Sequence, residues 1–311
     1  MKQNTKTNTH TGSFHGVKSN ARILKITGWL TGVYFLIELS LGFYSGSIAV
    51  ISDAFHTFSA VGGILIAFIA NRISSIEANE SATYGFKRAE IMGALLNGVF
   101  LLLMALYVLY MGYMRLGSGT ELATGLMWVA ALGGIITEAI AFKLIYKEQK
   151  QNINMKGAYW HILQTFVGSI LIIIAAIIIQ LTGYTPIDAI LGMVFGLVLL
   201  WASYKIIKDA FSIFMQTVPK EINVEKVKTE LLSIDGVLSI RHIHAWVLTS
   251  NKNIFSAHLQ IQNHAQGEKI LREADKILKE KFGFYFSTLQ LEKEFAQFDA
   301  DEINIHYPST R

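Results

Sequence analysis

Six stretches of the chain stay apolar for the roughly 20 residues that a helix needs to cross a ~30 Å hydrocarbon core. They cover approximately residues 24–44, 48–71, 90–114, 122–146, 156–182 and 187–210. Short breaks, YSGS, LGSGTE and TGYTP, follow the first, third and fifth. The second break, NRISSIEANESATYGFKR, is longer and polar, and the fourth, KEQKQNINMK, is polar and basic. The pattern changes after residue 218, and residues 219–296 read as helix, strand, strand, helix, strand. Asn223 caps the helix VEKVKTELLSI, and Asp235-Gly236 makes a turn. VLSIRHIHAWVLT and IFSAHLQIQ flank a hairpin at SNKN. GEKILREADKILKEKF is amphipathic, with Ile270, Leu271, Ala274, Ile277 and Leu278 on its apolar side, and STLQLEKEF is the last strand. The expected organisation is a polar tail over 1–23, a six-helix membrane domain over 24–214, an α-β-β-α-β domain over 215–298 and a tail over 299–311.

Composition sharpens this picture. Charged residues make up 16% of the chain, against roughly 25% in a soluble domain. Basic residues gather at alternate span ends: Lys18, Arg22 and Lys25; Arg72, Lys87 and Arg88; Lys147, Lys150 and Lys156; Lys205 and Lys208. The other side has only Arg115. The asymmetry predicts that both termini face the cytoplasm, and the plasma or inner membrane of a bacterium is the expected location. The first twenty residues lack the apolar core of a signal peptide, so His10 and His15 read as solvated tail residues. The net charge of +4 comes without a basic cluster interleaved with aromatics, which argues against nucleic acid. With no cysteine, a bound metal must use imidazole, carboxylate or neutral oxygen. No strand-turn-helix nucleophile motif, phosphate loop or HExxH string is present, so an enzyme is not expected.

Ionisable residues inside the spans carry the functional signal, because an ionisable group in hydrocarbon is costly and usually lines a path or a bundle interior. His56 and His161 are two such groups. At 1.5 Å per residue, His56 lies about 12 Å below the outer edge of its span and His161 about 8–12 Å above the inner edge of its own. Their axial separation is then about 6–10 Å, close enough for one site if the spans are neighbours. Asp53 stands three residues before His56, Glu38 lies in the first span and Glu138 in the fourth. Helix packing or a hydrogen bond is the plainer role for Asp53, a structural role the plainer one for Glu38, and a buried acid, protonated or paired with Lys143, the plainer reading of Glu138. Gln164 and Thr165 offer neutral oxygens near His161.

Four segments resemble the cation diffusion facilitator family of divalent-metal transporters: SGSIAVISDAFHTFSA (45–60), TYGFKRAEIMGALLNG (83–98), NMKGAYWHILQTFVGSI (154–170) and HIHAWVLTSNKNIFSAHLQI (242–261). The resemblance implies a homodimer of six-span bundles in lipid, with cytoplasmic, ferredoxin-like C-terminal domains. It implies export of zinc or a related divalent cation against inward proton flow, the metal being substrate and regulatory ligand rather than catalytic cofactor. The family's transport site usually joins a His/Asp-x-x-x-Asp pair in span two to a His-x-x-x-Asp pair in span five. Residues four apart share a helix face, and two such pairs build a tetrahedral N/O site.

This chain keeps His56 and His161 but has Ala60 and Thr165 in place of both carboxylates. Two neutral imidazoles would leave a divalent ion uncompensated in a low-dielectric setting. Glu138, where family members often have a neutral amide, is the leading source of the missing charge. Asp53, Gln164 and Thr165 complete the expected transmembrane set. Ala82 replaces a histidine common before the TYG string, which leaves Glu77 and Glu80 as solvated loop acids. In the C-terminal domain the resemblance places His244, His258 and Glu292 where members bind regulatory metal, with Gln290 in place of a further histidine. Strand alternation puts His242 on the face of His244 and Trp246. Proton-coupled metal export is the leading function. A transport-deficient regulatory or scaffolding subunit is the alternative, supported by the two missing carboxylates.

Overall fold

The computed structural model describes residues 12–117, 121–146, 153–250 and 252–294. Six long helices come first: α1 (Gly12–Ser45), α2 (Ile48–Ser74), α3 (Ala89–Arg115), α4 (Thr124–Ile145), α5 (Ile153–Thr182) and α6 (Pro186–Phe214). Runs in α1, α3, α4, α5 and α6 are long and apolar enough to cross a membrane among the described residues. α2 has 27 residues, also membrane length, although several of its side chains lie outside the description. The helices follow the six expected spans, with one difference at the start. α1 begins at Gly12, inside the segment read as tail. No proline interrupts the chain before Pro186, and a helix already nucleated extends into a polar flank at little cost.

The chain divides into two compact units: residues 1–69 with 93–207, and residues 70–92 with 208–311. In the first unit α4 packs against both α1 and α5. Its core joins Ala49 and Val50 of α2, Met127, Ala130 and Ala131 of α4, and Ile172, Ala175 and Ala176 of α5. The alanines let helix backbones approach closely, which is how helices associate where lipid supplies no hydrophobic drive. A second cluster joins Leu101 and Ala105 of α3 to Phe195 and Leu199 of α6.

The turns after α1, α3 and α5 meet at one end of this unit. The Ala123 amide donates to the Ser45 carbonyl at 3.1 Å, and Arg115 donates to the Gly46 carbonyl. Asp188, in the first turn of α6, receives the Ser47 hydroxyl at 2.5 Å and the amides of Ile48 and Ala49 at 2.6 and 3.3 Å. α2 has no acidic residue in its own first turn. A buried carboxylate from another helix therefore serves the amides that a helix start leaves unpaired.

The second unit contains α7 (Val224–Leu232), β1 (Val237–Thr249), β2 (Lys252–Ile261), α8 (Gly267–Glu280) and β3 (Phe286–Glu292), the predicted order. The Asn223 side chain accepts from the Lys226 amide at 3.1 Å, the expected cap. Gly236, at φ +92°, supplies the left-handed turn into β1. The sheet order is β1-β2-β3, with β1 antiparallel and β3 parallel to β2. Val227, Leu231, Phe255, Leu259, Ile270, Ala274 and Leu278 belong to one core that both helices share with the sheet. The register of β1 against β2 shifts between Arg241, opposite His258, and His244, opposite Ser256. His242 takes up the shift at φ +49°. The 70–92 segment belongs to the same unit. Within it the Lys87 ammonium donates to the Ser74 carbonyl at 2.7 Å.

Candidate functional site

Four helices of the first unit bring polar groups together. Asp53 of α2 and Glu38 of α1 are each 1% exposed and lie close to one another. Thr57, one turn beyond Asp53, donates to Glu38 Oε2 at 3.4 Å. The Ser169 hydroxyl of α5 donates to Glu138 Oε1 of α4 at 3.2 Å, and the Asp53 carboxyl packs against Gly168, the residue before Ser169. Thr165, one turn before Ser169 on α5, turns its hydroxyl to the Ile162 carbonyl at 2.9 Å. Two acids that lie 85 residues apart in sequence (138 − 53) thus meet adjacent residues of α5. Asp53 Oδ1 and Glu138 Oε2 are buried without a hydrogen-bond partner. Lys143 is exposed while Glu138 is buried, and the hydrogen bond to Glu138 comes from the Ser169 hydroxyl of α5.

The close fit has a local cause. Gly168 stands against the Asp53 carboxyl group, and the absence of a side chain there admits the acid between α2 and α5. Tyr34 of α1 donates to the Ala130 carbonyl of α4 one turn away from Glu38, tying together the two helices that carry Glu38 and Glu138.

His56 is buried and meets Phe195 of α6 edge-on, with ring centroids 5.4 Å apart. The side chains of His161 and Gln164 lie outside the described residues. α5 carries His161 one turn before Thr165. Among the described residues no three His, Asp or Glu side chains are gathered closely enough to hold a metal as they stand. Sequence reasoning passed over Ser169 and gave Glu38 a structural role. Glu38 does announce itself as an acid in an apolar run, whereas nothing in sequence marks Ser169.

The second unit gathers another polar group. The His242 and His258 rings meet edge-on at 5.0 Å. His258 Nδ1 approaches Glu292 Oε1 to 2.8 Å without hydrogen-bond alignment, and Gln290 donates to the same oxygen at 2.7 Å. His244 is opposite Ser256, two residues from His258 on β2. Simple alternation put His242 and His244 together on one face. The bulge instead buries His242 beside His258. Burial, followed by the neighbouring His242 and His258, holds the His244 imidazole below its ordinary pKa.

Comparisons with known proteins cover both units. The family described as cation efflux transmembrane domain matches residues 24–215, and that described as cation efflux protein, cytoplasmic domain, matches residues 219–294. The metal cation efflux system protein CzcD of Cupriavidus metallidurans is 32% identical over 274 residues, covering 88% of this chain and 87% of that protein. The cadmium, cobalt and zinc/H(+)-K(+) antiporter of Bacillus subtilis is 30% identical, with 91% of this chain and 92% of the relative covered. The zinc transporter ZitB of Yersinia pestis is 28% identical, with 88% of each chain covered. Membrane-length helices, the α-β-β-α-β domain and matches across both together place this chain in the cation diffusion facilitator family of cation efflux transporters, an integral membrane protein rather than an enzyme.

Proposed function

We propose that the protein exports a divalent metal cation, zinc or a related ion such as cadmium or cobalt, in exchange for protons. The observation that carries this reading is the buried network of Glu38, Asp53 and Glu138. No Lys or Arg pairs with these acids among the described residues. Negative charge in a low-dielectric interior must be neutralised. Protons do this in one state and a cation in the other, and alternation between them is antiport. Asp53 and Glu138 supply the charge that the missing span-two and span-five carboxylates would have given. His56, His161, Thr165 and Gln164 supply neutral donors as the helices rearrange around the ion.

Both termini face the cytoplasm in this reading, as the basic span ends predict. The His242, His258 and Glu292 group, with His244 beside it, is proposed to bind regulatory metal, and the C-terminal domain to dimerise with a second copy. The relatives named for zinc, cadmium and cobalt support the choice of ions.

Reconstituted protein should take up zinc when a pH step is imposed, read with a metal-sensitive dye inside the vesicles. Glu138→Gln should lower the uptake rate at least tenfold, and His56→Ala should do the same. Wild-type rates in Glu138→Gln would remove that acid from the site. If oriented wild-type vesicles move none of several divalent ions, the export reading falls.

A further inference from the structure

Glu90 lies in the first turn of α3 and belongs, like the β1–β2 hairpin, to the second unit. Its carboxylate receives two hydroxyls from the end of β1. Thr249 donates to Oε2, and Ser250 donates to Oε1 at 2.8 Å. Thr249 is buried, which shelters the contact from water on one side. Hydrogen bonds to an ionised acceptor are roughly twice as strong as neutral ones. The nearby Lys87 is engaged at the Ser74 carbonyl.

Each end of this clasp leads to a polar group already described. Along β1, His242 stands seven residues before Thr249 (249 − 242), about 23 Å at strand rise. α3 runs on past residue 93 into the first unit. There Leu101 and Ala105 pack with Phe195, the ring that meets His56.

We propose that Glu90 couples the hairpin of the C-terminal domain to the third span and so sets the turnover of the transporter. Glu90 is a positioning residue in this role. It acts through α3 and touches no transported ion. The proposal rests on the export reading given above. It differs from a purely structural contact in one respect: loosening the clasp slows transport while leaving the ion's apparent affinity alone.

The test uses the full chain in vesicles, with zinc as the probe and a pH step as the drive. Glu90→Ala and the pair Thr249→Val with Ser250→Ala should each lower the maximal rate about fivefold to tenfold, with KM within about twofold of wild type. Combining all three changes should cost no more than Glu90→Ala alone, because they remove one interaction. Rates that multiply, or wild-type rates in both variants, overturn the proposal. A second arm covers variants that fold poorly. The chain has no cysteine, so Glu90→Cys with Ser250→Cys can be bridged by a short bis-maleimide. The unbridged pair should be slow, and bridging should bring the rate back to within about twofold of wild type. A bridged protein that stays slow also overturns the coupling. If wild type itself moves no ion, the export reading fails and the coupling with it. If wild type transports and the variants match it, only the coupling fails.

Discussion

Gly168 has no side chain, and the Asp53 carboxyl occupies the space where one would stand. Gly168→Ala must therefore displace Asp53 or push α5 away from α2. Overpacking of this kind costs about 1–3 kcal/mol, and the rate of zinc uptake should fall at least tenfold. Undiminished uptake would mean that Asp53 need not hold its place. His244 makes a prediction of a different kind. Its imidazole is held below the ordinary value by burial and then by His242 and His258. Above about 6.5, the ordinary histidine pKa, both folded and unfolded chains leave it neutral and it adds no pH dependence. As pH falls through that value the unfolded chain takes the proton first, so the folded domain loses stability. Amide protection of β1 and β2 in chelator-treated full-length protein should drop between pH 7.5 and pH 5.5, and His244→Gln should flatten that drop. At this scale Asp53 and Glu138 were legible, because an acid in an apolar run stands out. Their meeting at Gly168 and Ser169 of α5 was not, since periodicity fixes neither the tilt nor the rotation of one helix against the next.

At the scale of the element, α2 borrows the cap of its first turn from α6. Asp188→Ala leaves the Ser47 hydroxyl and two buried amides without their acceptor. A lost helix cap costs about 0.5–2 kcal/mol, so the detergent-solubilised protein should melt several degrees lower, with amide exchange fastest at residues 48–50. An unchanged melting point would show that water replaces the carboxylate. The helices and strands themselves were readable in order and type from apolar run length and alternation. Two features escaped. The early start of α1 depends on continuation from an apolar span into polar sequence, which carries no amphipathic signature. The bulge at His242 depends on pairing with β2, and strict alternation along HIHAW gives no warning of it.

For the whole molecule, the turns after α1, α3 and α5 share one end of the first unit, as an up-and-down path requires. The basic span ends predict that this end lies outside the cell. The cysteine-free chain makes this simple to test. Tyr184→Cys should react with an impermeant maleimide added to intact cells, and Ser233→Cys only after permeabilisation. The reverse pattern would invert the proposed direction of transport. Light scattering of the purified protein should give about twice 34.7 kDa after the detergent contribution is removed. A monomer mass would remove the proposed dimer.

His242 holds a backbone conformation that suits glycine better than a branched or ringed residue. Accepting it costs of order 1–3 kcal/mol. His242→Gly should consequently give a C-terminal domain that resists heat better yet responds less to added metal. The kink would then be a thermodynamic concession: robustness surrendered locally so that an imidazole can stand beside His258.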